Sequence, residues 1–344
     1  MRFTMSLLLS MVLLAGAVAS GGDPSVEIRK GKAAGEVEIL FDGKLFTSFI
    51  QPTGVTKPVL WPVISSKGHT VTRNYPLKNV AGERTDHPHH IGIWLTYGDV
   101  NGIDYWNNSD AVPAEKKSRY GDIHFQGIVS MTSSGSEGEL VVKNQWTDNG
   151  EAVLDEITTF TFINRGETRI IDRETRLIAL KDVLFEDNKE GMIGMRMASE
   201  LEMPSNNPVT LTDAHGIATT IKGVNKRASG DYLSSEGLRG DDVWGTRGVW
   251  MALSGNFNQD KVTVAIIDHP ANPGYPTYWH ARGYGLYAAN PLGQKEMSGG
   301  KDELHYRLGK GEEGVFRYRI VISDDRSADE GDWKSLAAEF SKIQ

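Results

Sequence analysis

The 344-residue chain contains no cysteine, which excludes disulfide bonds, thiol nucleophiles and thiolate metal ligands. A protein without disulfides must be held together by its own hydrophobic core, and this length suffices for one large domain or two modest ones. The chain also lacks an excess of basic residues: 37 lysines and arginines stand against 45 aspartates and glutamates, a formal charge of -8. This balance argues against nucleic acid and anionic membranes as partners, because both favour basic surfaces. No protein partner can be inferred from the sequence.

Long apolar runs are missing except near the amino terminus. Arg2 precedes an apolar stretch from Leu7 to Val18, and the small-residue pattern Ala17-Val18-Ala19 stands before Ser20. This is the pattern of a secretory signal peptide, so we predict a leader over residues 1–19 and a periplasmic or secreted protein. No later segment approaches about 18 uninterrupted apolar residues, so no membrane span is predicted.

Helical periodicity is also scarce, whereas alternation of apolar and polar residues recurs along the chain. Residues 36–50 have the pattern of a hairpin around Asp42-Gly43, and further strands are predicted at Leu140–Trp146, Glu156–Asn164, Thr168–Ala179, Lys261–Asp268 and Val315–Ser323. Only the carboxyl terminus, after Asp332, has helical spacing. The sequence therefore predicts an all-β fold: a single domain over residues 20–344, built as a large antiparallel β-sandwich with a short C-terminal helix.

The strongest candidate site is the run Asp86-His87-Pro88-His89-His90, which holds three of the nine histidines. In a strand, His87 and His89 would share one face and His90 would point to the other, although Pro88 favours a loop that enters a strand. Arg84, Trp94, Asp104 and Trp106 surround this run and complete a polar, aromatic mixture. The histidines could carry protons, bind a metal or simply hydrogen-bond their neighbours.

Two further segments contain candidate residues. Residues 268–291 combine prolines, glycines and aromatics with His280, Arg282 and Asn290, which favours a surface loop with stacking faces for a sugar, or aromatics that fill the core. Glu190 and Arg196 lie before and within an alternating stretch, where a carboxylate and an arginine could form an acid/base group or a solvated turn.

Six phrases of the sequence together resemble the bacterial family labelled "methane oxygenase PmoA": Lys57-Pro58-Val59-Leu60-Trp61-Pro62-Val63, Val71-Thr72-Arg73-Asn74-Tyr75-Pro76, Asp86-His87-Pro88-His89-His90, Gly98-Asp99-Val100-Asn101-Gly102-Ile103-Asp104-Tyr105-Trp106, Lys189-Glu190-Gly191 and Trp279-His280-Ala281-Arg282-Gly283-Tyr284-Gly285. The family is typical of bacteria that degrade complex polysaccharides. The resemblance implies pocket residues at Asp86, His87, His89, His90, Trp94, Asp104, Trp106, Glu190, Arg196, His280 and Asn290. Methane oxidation is not carried over, because the membrane subunit of that name has spans that this chain lacks.

The strands around Thr168–Asp172 and Leu177–Leu180 are similar to segments of galactose-mutarotase-like sandwiches. Both resemblances imply a carbohydrate ligand.

The first functional hypothesis is an exported carbohydrate-active enzyme that acts on a glycoside, a sugar or an oxidised sugar derivative by hydrolysis, elimination or epimerisation. Its predicted catalytic residues are His87, His89, Glu190 and His280, and its predicted ligand-binding residues are Arg84, Asp86, His90, Trp94, Asp104, Trp106, Arg196, Arg282 and Asn290. A non-catalytic sugar-binding protein is one alternative. The other is a metalloenzyme that holds a divalent metal through His87, His89 and His280.

Overall fold

The computed structural model describes residues 23–222, 225–329 and 331–343. The predicted leader over residues 1–19 lies outside this part of the chain. The described residues form two eight-stranded antiparallel sheets, two small hairpin sheets and a few short helices, which confirms the all-β prediction.

The first large sheet, sheet I, is hydrogen-bonded in the order β1 (Val26–Lys30), β2 (Val37–Phe41), β3 (Lys44–Ile50), β4 (Val59–Val63), β5 (Ile93–Leu95), β11 (Ile193–Arg196), β18 (Leu286–Asn290), β17 (Tyr278–Ala281). The second, sheet II, runs β14 (Asp231–Ser234), β15 (Trp250–Phe257), β16 (Asp260–Asp268), β20 (Glu313–Asp324), β9 (Thr168–Ala179), β8 (Glu151–Arg165), β7 (Glu137–Asp148), β6 (Asp122–Ser134). The small sheets pair β10 (Val183–Phe185) with β19 (Tyr306–Leu308), and β12 (Val209–Thr212) with β13 (Ala218–Ile221).

The helices are short. The α-helices are α1 (Gln294–Ser298) and α2 (Trp333–Phe340), and the 3-10 helices are Ala114–Arg119, Ser199–Leu201 and Gly240–Val243. Helix α2 begins directly after Asp332, as the helical spacing predicts, and the Asp332 side chain caps it by accepting a hydrogen bond from the backbone N–H of Ser335 at 3.2 Å. None of the described helices combines the length and the apolar character needed to cross a membrane.

The main core lies between the two sheets and takes apolar side chains from both, such as Phe46 and Ile93 from sheet I and Leu140 and Ile320 from sheet II. A second apolar cluster joins α2 to the outer face of sheet II. A third lies on the outer face of sheet I and contains Trp94, Trp106 and Ala288. This third cluster is where the predicted site residues gather.

Candidate functional site

Four neighbouring strands of sheet I place one row of side chains on its outer face. The antiparallel register pairs Trp94 with Gly194, Gly194 with Ala288, and Ala288 with His280. Directly opposed residues point to the same face of a sheet, so these four share one side. Their strand neighbours Ile93, Met195 and Tyr287 face the core instead.

Small residues in this row make room for the indole of Trp94. A Cβ atom on Gly194 would stand 2.6 Å from Trp94 and 2.8 Å from Trp106, which is closer than real Cβ contacts allow. The two tryptophans meet edge to face, with ring centroids 5.1 Å apart. Gly194 is therefore required for both rings to lie against the sheet.

The three histidines occupy a turn that precedes β5. The backbone N–H of His90 donates to the carbonyl of His87 at 3.0 Å, and His87 has a φ of 44°. The strand alternation considered for residues 86–94 is wrong here, because the turn at Pro88 brings His87 and His90 to the same side.

The guanidinium of Arg73 fixes the shape of this turn. It is buried and donates to the carbonyl oxygens of Asp86 at 2.8 Å, His87 at 2.9 Å and His90 at 3.0 Å. Arg73 was not predicted as a site residue, although it stands in one of the resembling phrases.

A continuous stack of rings runs through the turn. The rings of Tyr284 and His87 are stacked with their centroids 5.2 Å apart. The ring of His87 is stacked on His90 at a centroid distance of 4.9 Å, and His90 is stacked on Trp94 at 5.3 Å. His89 meets His90 edge-on at 4.3 Å. The half-exposed ring of His87 is thus oriented by stacking contacts with both Tyr284 and His90.

The carboxylate of Asp86 lies between two buried guanidinium groups. Its Oδ1 accepts hydrogen bonds from Arg73 at 2.8 Å and from Arg196 at 2.5 Å, and its Oδ2 lies 3.4 Å from Nδ1 of His87. Burial raises the pKa of Asp86, but the hydrogen bond with His87 and the charges of Arg196 and Arg73 outweigh it and hold that pKa well below its usual range. Asp86 is therefore ionised and can orient His87 through Nδ1.

His89 and His90 are neutral because burial, reinforced by nearby positive charges, lowers their pKa values; that of His89 falls to about 2. Trp106 donates its indole N–H to Nε2 of His90 at 3.2 Å. The buried Nε2 of His89 has no hydrogen-bond partner in the described chain, so its hydrogen-bonding capacity is unused.

An acidic group borders the turn. Asp104 caps the following loop, where its Oδ1 accepts from the backbone N–H groups of Trp106 and Asn107 at 2.8 and 2.9 Å. The amide of Asn107 donates both to Asp104 and to Glu190. Burial raises the pKa of Glu190, so its carboxyl group binds a proton more readily than an exposed glutamate. Asn107, which no sequence pattern singled out, thus connects the two carboxylates.

Lys57 is a third residue that the sequence analysis missed, after Arg73 and Asn107. The residue is 1% exposed, and its ammonium group donates to the carbonyl of Trp106 at 3.0 Å and lies 5.1 Å from the centroid of the Trp94 ring. Burial lowers the pKa of Lys57 to about 7, although the negative charges of Asp104 and Glu190 act to raise it. Its place in the first resembling phrase was the only available signal.

His280 shares the outer face but lies away from the histidine turn. Three inter-strand steps separate it from Trp94, or about 14 Å between backbones. Residues 278–281 and 286–290 are buried strands, so the surface loop predicted over 268–291 is wrong for this part, and Trp279 and Tyr287 fill the core. The grouping of His280 with His87 and His89 in one pocket stays a prediction.

Three other predicted residues have structural partners. Asn290 is fully buried. Its side-chain NH2 donates to the carbonyl of Asn188, and its side-chain oxygen accepts from the backbone N–H groups of Leu292 and Gly293. Arg84 donates to Glu202 at 2.7 Å. Arg282 lies with its guanidinium 4.7 Å from the ring centroid of Trp244.

Within residues 23–222, 225–329 and 331–343, no group of three or more histidine, aspartate or glutamate side chains has an arrangement that could hold a metal ion. The proposed ligand set of His87, His89 and His280 is accordingly not assembled.

Residues 36–338 match the model of a family of unknown function, DUF6807. The chain belongs to this family. The match does not support the label of the methane oxygenase family that the motifs resembled. No curated protein matches the chain.

Solved structures similar to this DUF6807 protein include a GH36 alpha-galactosidase from Geobacillus stearothermophilus, at 10% identity and a TM-score of 0.39, which covers 89% of this chain and 41% of that one. The chain thus spans less than half of that enzyme. A galactose mutarotase-like protein from Clostridium acetobutylicum is 9% identical with a TM-score of 0.32, and the match covers 88% of this chain and 99% of the other. A galactose mutarotase related enzyme from Lactobacillus acidophilus is 10% identical with a TM-score of 0.29, and the match covers 88% of this chain and 99% of the other.

Proposed function

We propose that this protein is a carbohydrate-active enzyme that uses His87 as a general acid/base, with Glu190 as the second proton-transfer group. The observation that carries the proposal is the arrangement of Asp86 and His87. An ionised carboxylate, fixed by two buried arginines, faces Nδ1 of a half-exposed imidazole that is stacked on Tyr284. A carboxylate in this position favours the tautomer with the proton on Nδ1, which leaves Nε2 to accept or donate a proton.

The side chains around His87 suit a polar ligand with apolar C–H faces. The half-buried aromatic rings of Trp61 and Tyr284 belong to the margin of the outer-face cluster. Such rings can cover the C–H face of a sugar, and nearby nitrogen donors can bind its hydroxyl groups. Burial raises the pKa of Glu190, so this carboxyl group binds a proton more readily than an exposed glutamate and can serve as the partner acid/base. Hydrolysis, elimination and epimerisation all use such a pair.

The leader-like residues 1–19 support the further proposal that the enzyme acts in the periplasm or outside the cell.

The proposal is tested by assaying the purified protein on a broad panel of glycans and sugars, and then comparing the variants His87→Ala and Glu190→Gln with wild type. We expect each substitution to reduce kcat by about two to four powers of ten, as is typical for loss of a general acid/base, with a loss of stability in His87→Ala no larger than about 1–3 kcal/mol, the range expected for removing the ring stack. His124→Ala is the matched control, because His124 is an exposed histidine on β6 of the other sheet.

Unchanged turnover in His87→Ala contradicts the proposal. Saturable sugar binding without turnover across the panel favours the non-catalytic binding protein instead.

A further inference from the structure

The end of the outer face around His280 carries positive charge and an unused hydrogen-bonding atom. His280 is 3% exposed, and its buried Nδ1 has no hydrogen-bond partner among the residues that the structure describes. Burial and the positive charges of Arg282 and Lys189 together lower the pKa of His280 to about 3, although a backbone hydrogen bond to Lys189 acts to raise it. Since Nδ1 has no partner, that bond belongs to Nε2, and the neutral ring keeps Nδ1 as an acceptor.

Arg282 has no carboxylate within ion-pair distance among the described residues, and it rests on Trp244 instead. Three other partly or fully buried arginines of this acidic chain are paired: Arg84 with Glu202, Arg317 with Glu174 and Arg319 with Asp172. A half-buried guanidinium without a counter-charge is costly unless a ligand or water completes it.

Lys189 contributes the second positive charge. Its Nζ lies 3.7 Å from Oε1 of Glu190, a long contact with a side chain that is 21% exposed. Burial raises the pKa of Glu190, while the charge of Lys189 acts to lower it.

Tyr284 connects this end to the histidine turn. It follows Arg282 by two residues in the connection between β17 and β18, and its ring is stacked on His87. The charges of Arg196, Arg282, Asp86 and Glu190 all act on the hydroxyl of Tyr284. Tyr284 therefore connects the ring of His87 to the chain segment that carries Arg282.

Resting on the function proposed above, we propose that the sugar ligand carries an anionic group, a carboxylate or a sulfate ester, which binds between Arg282 and Lys189 beside His280. Arg282 offers paired N–H donors that match the geometry of a carboxylate or sulfate, and Lys189 adds a point charge. Nδ1 of His280 accepts a hydrogen bond from a hydroxyl group next to the anionic substituent. The neutral sugar of the same stereochemistry would leave Arg282 without a counter-charge.

The test is calorimetric titration of the full-length mature protein with matched sugars: glucose and glucuronate, galactose and galacturonate, galactose and galactose 6-sulfate, and the corresponding short oligosaccharides. We expect the anionic member of at least one pair to bind about tenfold more tightly or better, an advantage that shrinks as salt is raised. Arg282→Gln and Lys189→Gln should each remove most of this advantage. Arg176→Gln, an exposed arginine on sheet II, is the matched control and should keep it.

Preference for the uronates identifies a carboxylate as the anionic group, and preference for the 6-sulfate identifies a sulfate ester. Equal binding of both members of every pair, or a preference that survives Arg282→Gln and Lys189→Gln, overturns the inference and leaves the role of His87 standing. If no sugar of any charge binds or reacts, the proposed function itself fails and the inference fails with it.

Discussion

The imidazole of His87 and the phenol ring of Tyr284 lie parallel within 1°, with their centroids 5.2 Å apart. The same tyrosine ring lies 4.8 Å from the guanidinium carbon of Arg196, which holds Asp86. One aromatic ring thus positions both the imidazole and the arginine that anchors its carboxylate partner.

The first prediction concerns this ring. Tyr284→Leu removes the stacking and the cation–π contact, so we expect a loss of about 1–3 kcal/mol in the free energy of unfolding and a marked fall in turnover. Tyr284→Phe keeps both contacts and should behave like wild type. Chemical denaturation and the sugar assay measure the two effects. Equal behaviour of the two variants would show that the ring has no positioning role.

The second prediction concerns Asp86. Asp86→Asn leaves Arg73 and Arg196, which are 1% and 0% exposed, without their shared counter-charge. Breaking a fully buried pair costs about 3–5 kcal/mol, and we expect at least about 2 kcal/mol here because a third of the Asp86 side chain is exposed. Urea denaturation measures the change. Asp231→Asn breaks an exposed pair with Arg239 and should cost less than about 1 kcal/mol; similar losses in both variants would contradict the buried clamp.

The third prediction concerns Gly194. In Gly194→Ala the new methyl group would overlap the rings of Trp94 and Trp106. We expect a destabilisation of about 1–3 kcal/mol and a change in tryptophan fluorescence, because both indoles must move. Thermal unfolding and emission spectra check this. Wild-type stability and emission in this variant would contradict the close packing of Gly194 against the two tryptophan rings.

The fourth prediction concerns the pH dependence that Lys57 creates. Its pKa is lowered from 10.5 to about 7, so between these values the unfolded chain binds a proton that the folded chain does not. The burial of Lys57 therefore lowers the free energy of unfolding most below pH 7. This unfavourable effect shrinks as pH rises across the window, so the free energy of unfolding increases by at most about 1.4 kcal/mol per pH unit. Lys57→Met should remove this slope. Urea denaturation from pH 6.5 to 10 compares the two proteins, and parallel curves would show that the amine is not held in a low-polarity environment.

The long strands and the C-terminal helix could be predicted because their signals are local. The 36–50 hairpin carries its turn residues, and Asp332 stands directly before helix α2. Strands β17 and β18 could not be predicted, because they are buried on both faces and show no alternation, while their prolines and glycines suggested a loop. The assignment of residues 20–344 to a single domain stays a prediction.

The candidate site was predicted in part. The composition of residues 84–106 indicated where it would be, but its arrangement depends on register and on distant partners. Trp94 and His280 share a face only because β11 and β18 lie between them. Lys57 and Asn107 carried no pattern of their own, since a lone lysine or asparagine is usually solvated.

The histidine turn depends on the guanidinium of Arg73, which donates to three of its carbonyl oxygens. The turn takes its form from a residue 13 positions upstream of Asp86 and not from its own five residues. Grafting Asp86-His87-Pro88-His89-His90 onto another sandwich would therefore carry over the chemical groups without their geometry, and a successful transplant must bring Arg73 and its strand-borne counterpart Arg196 as well.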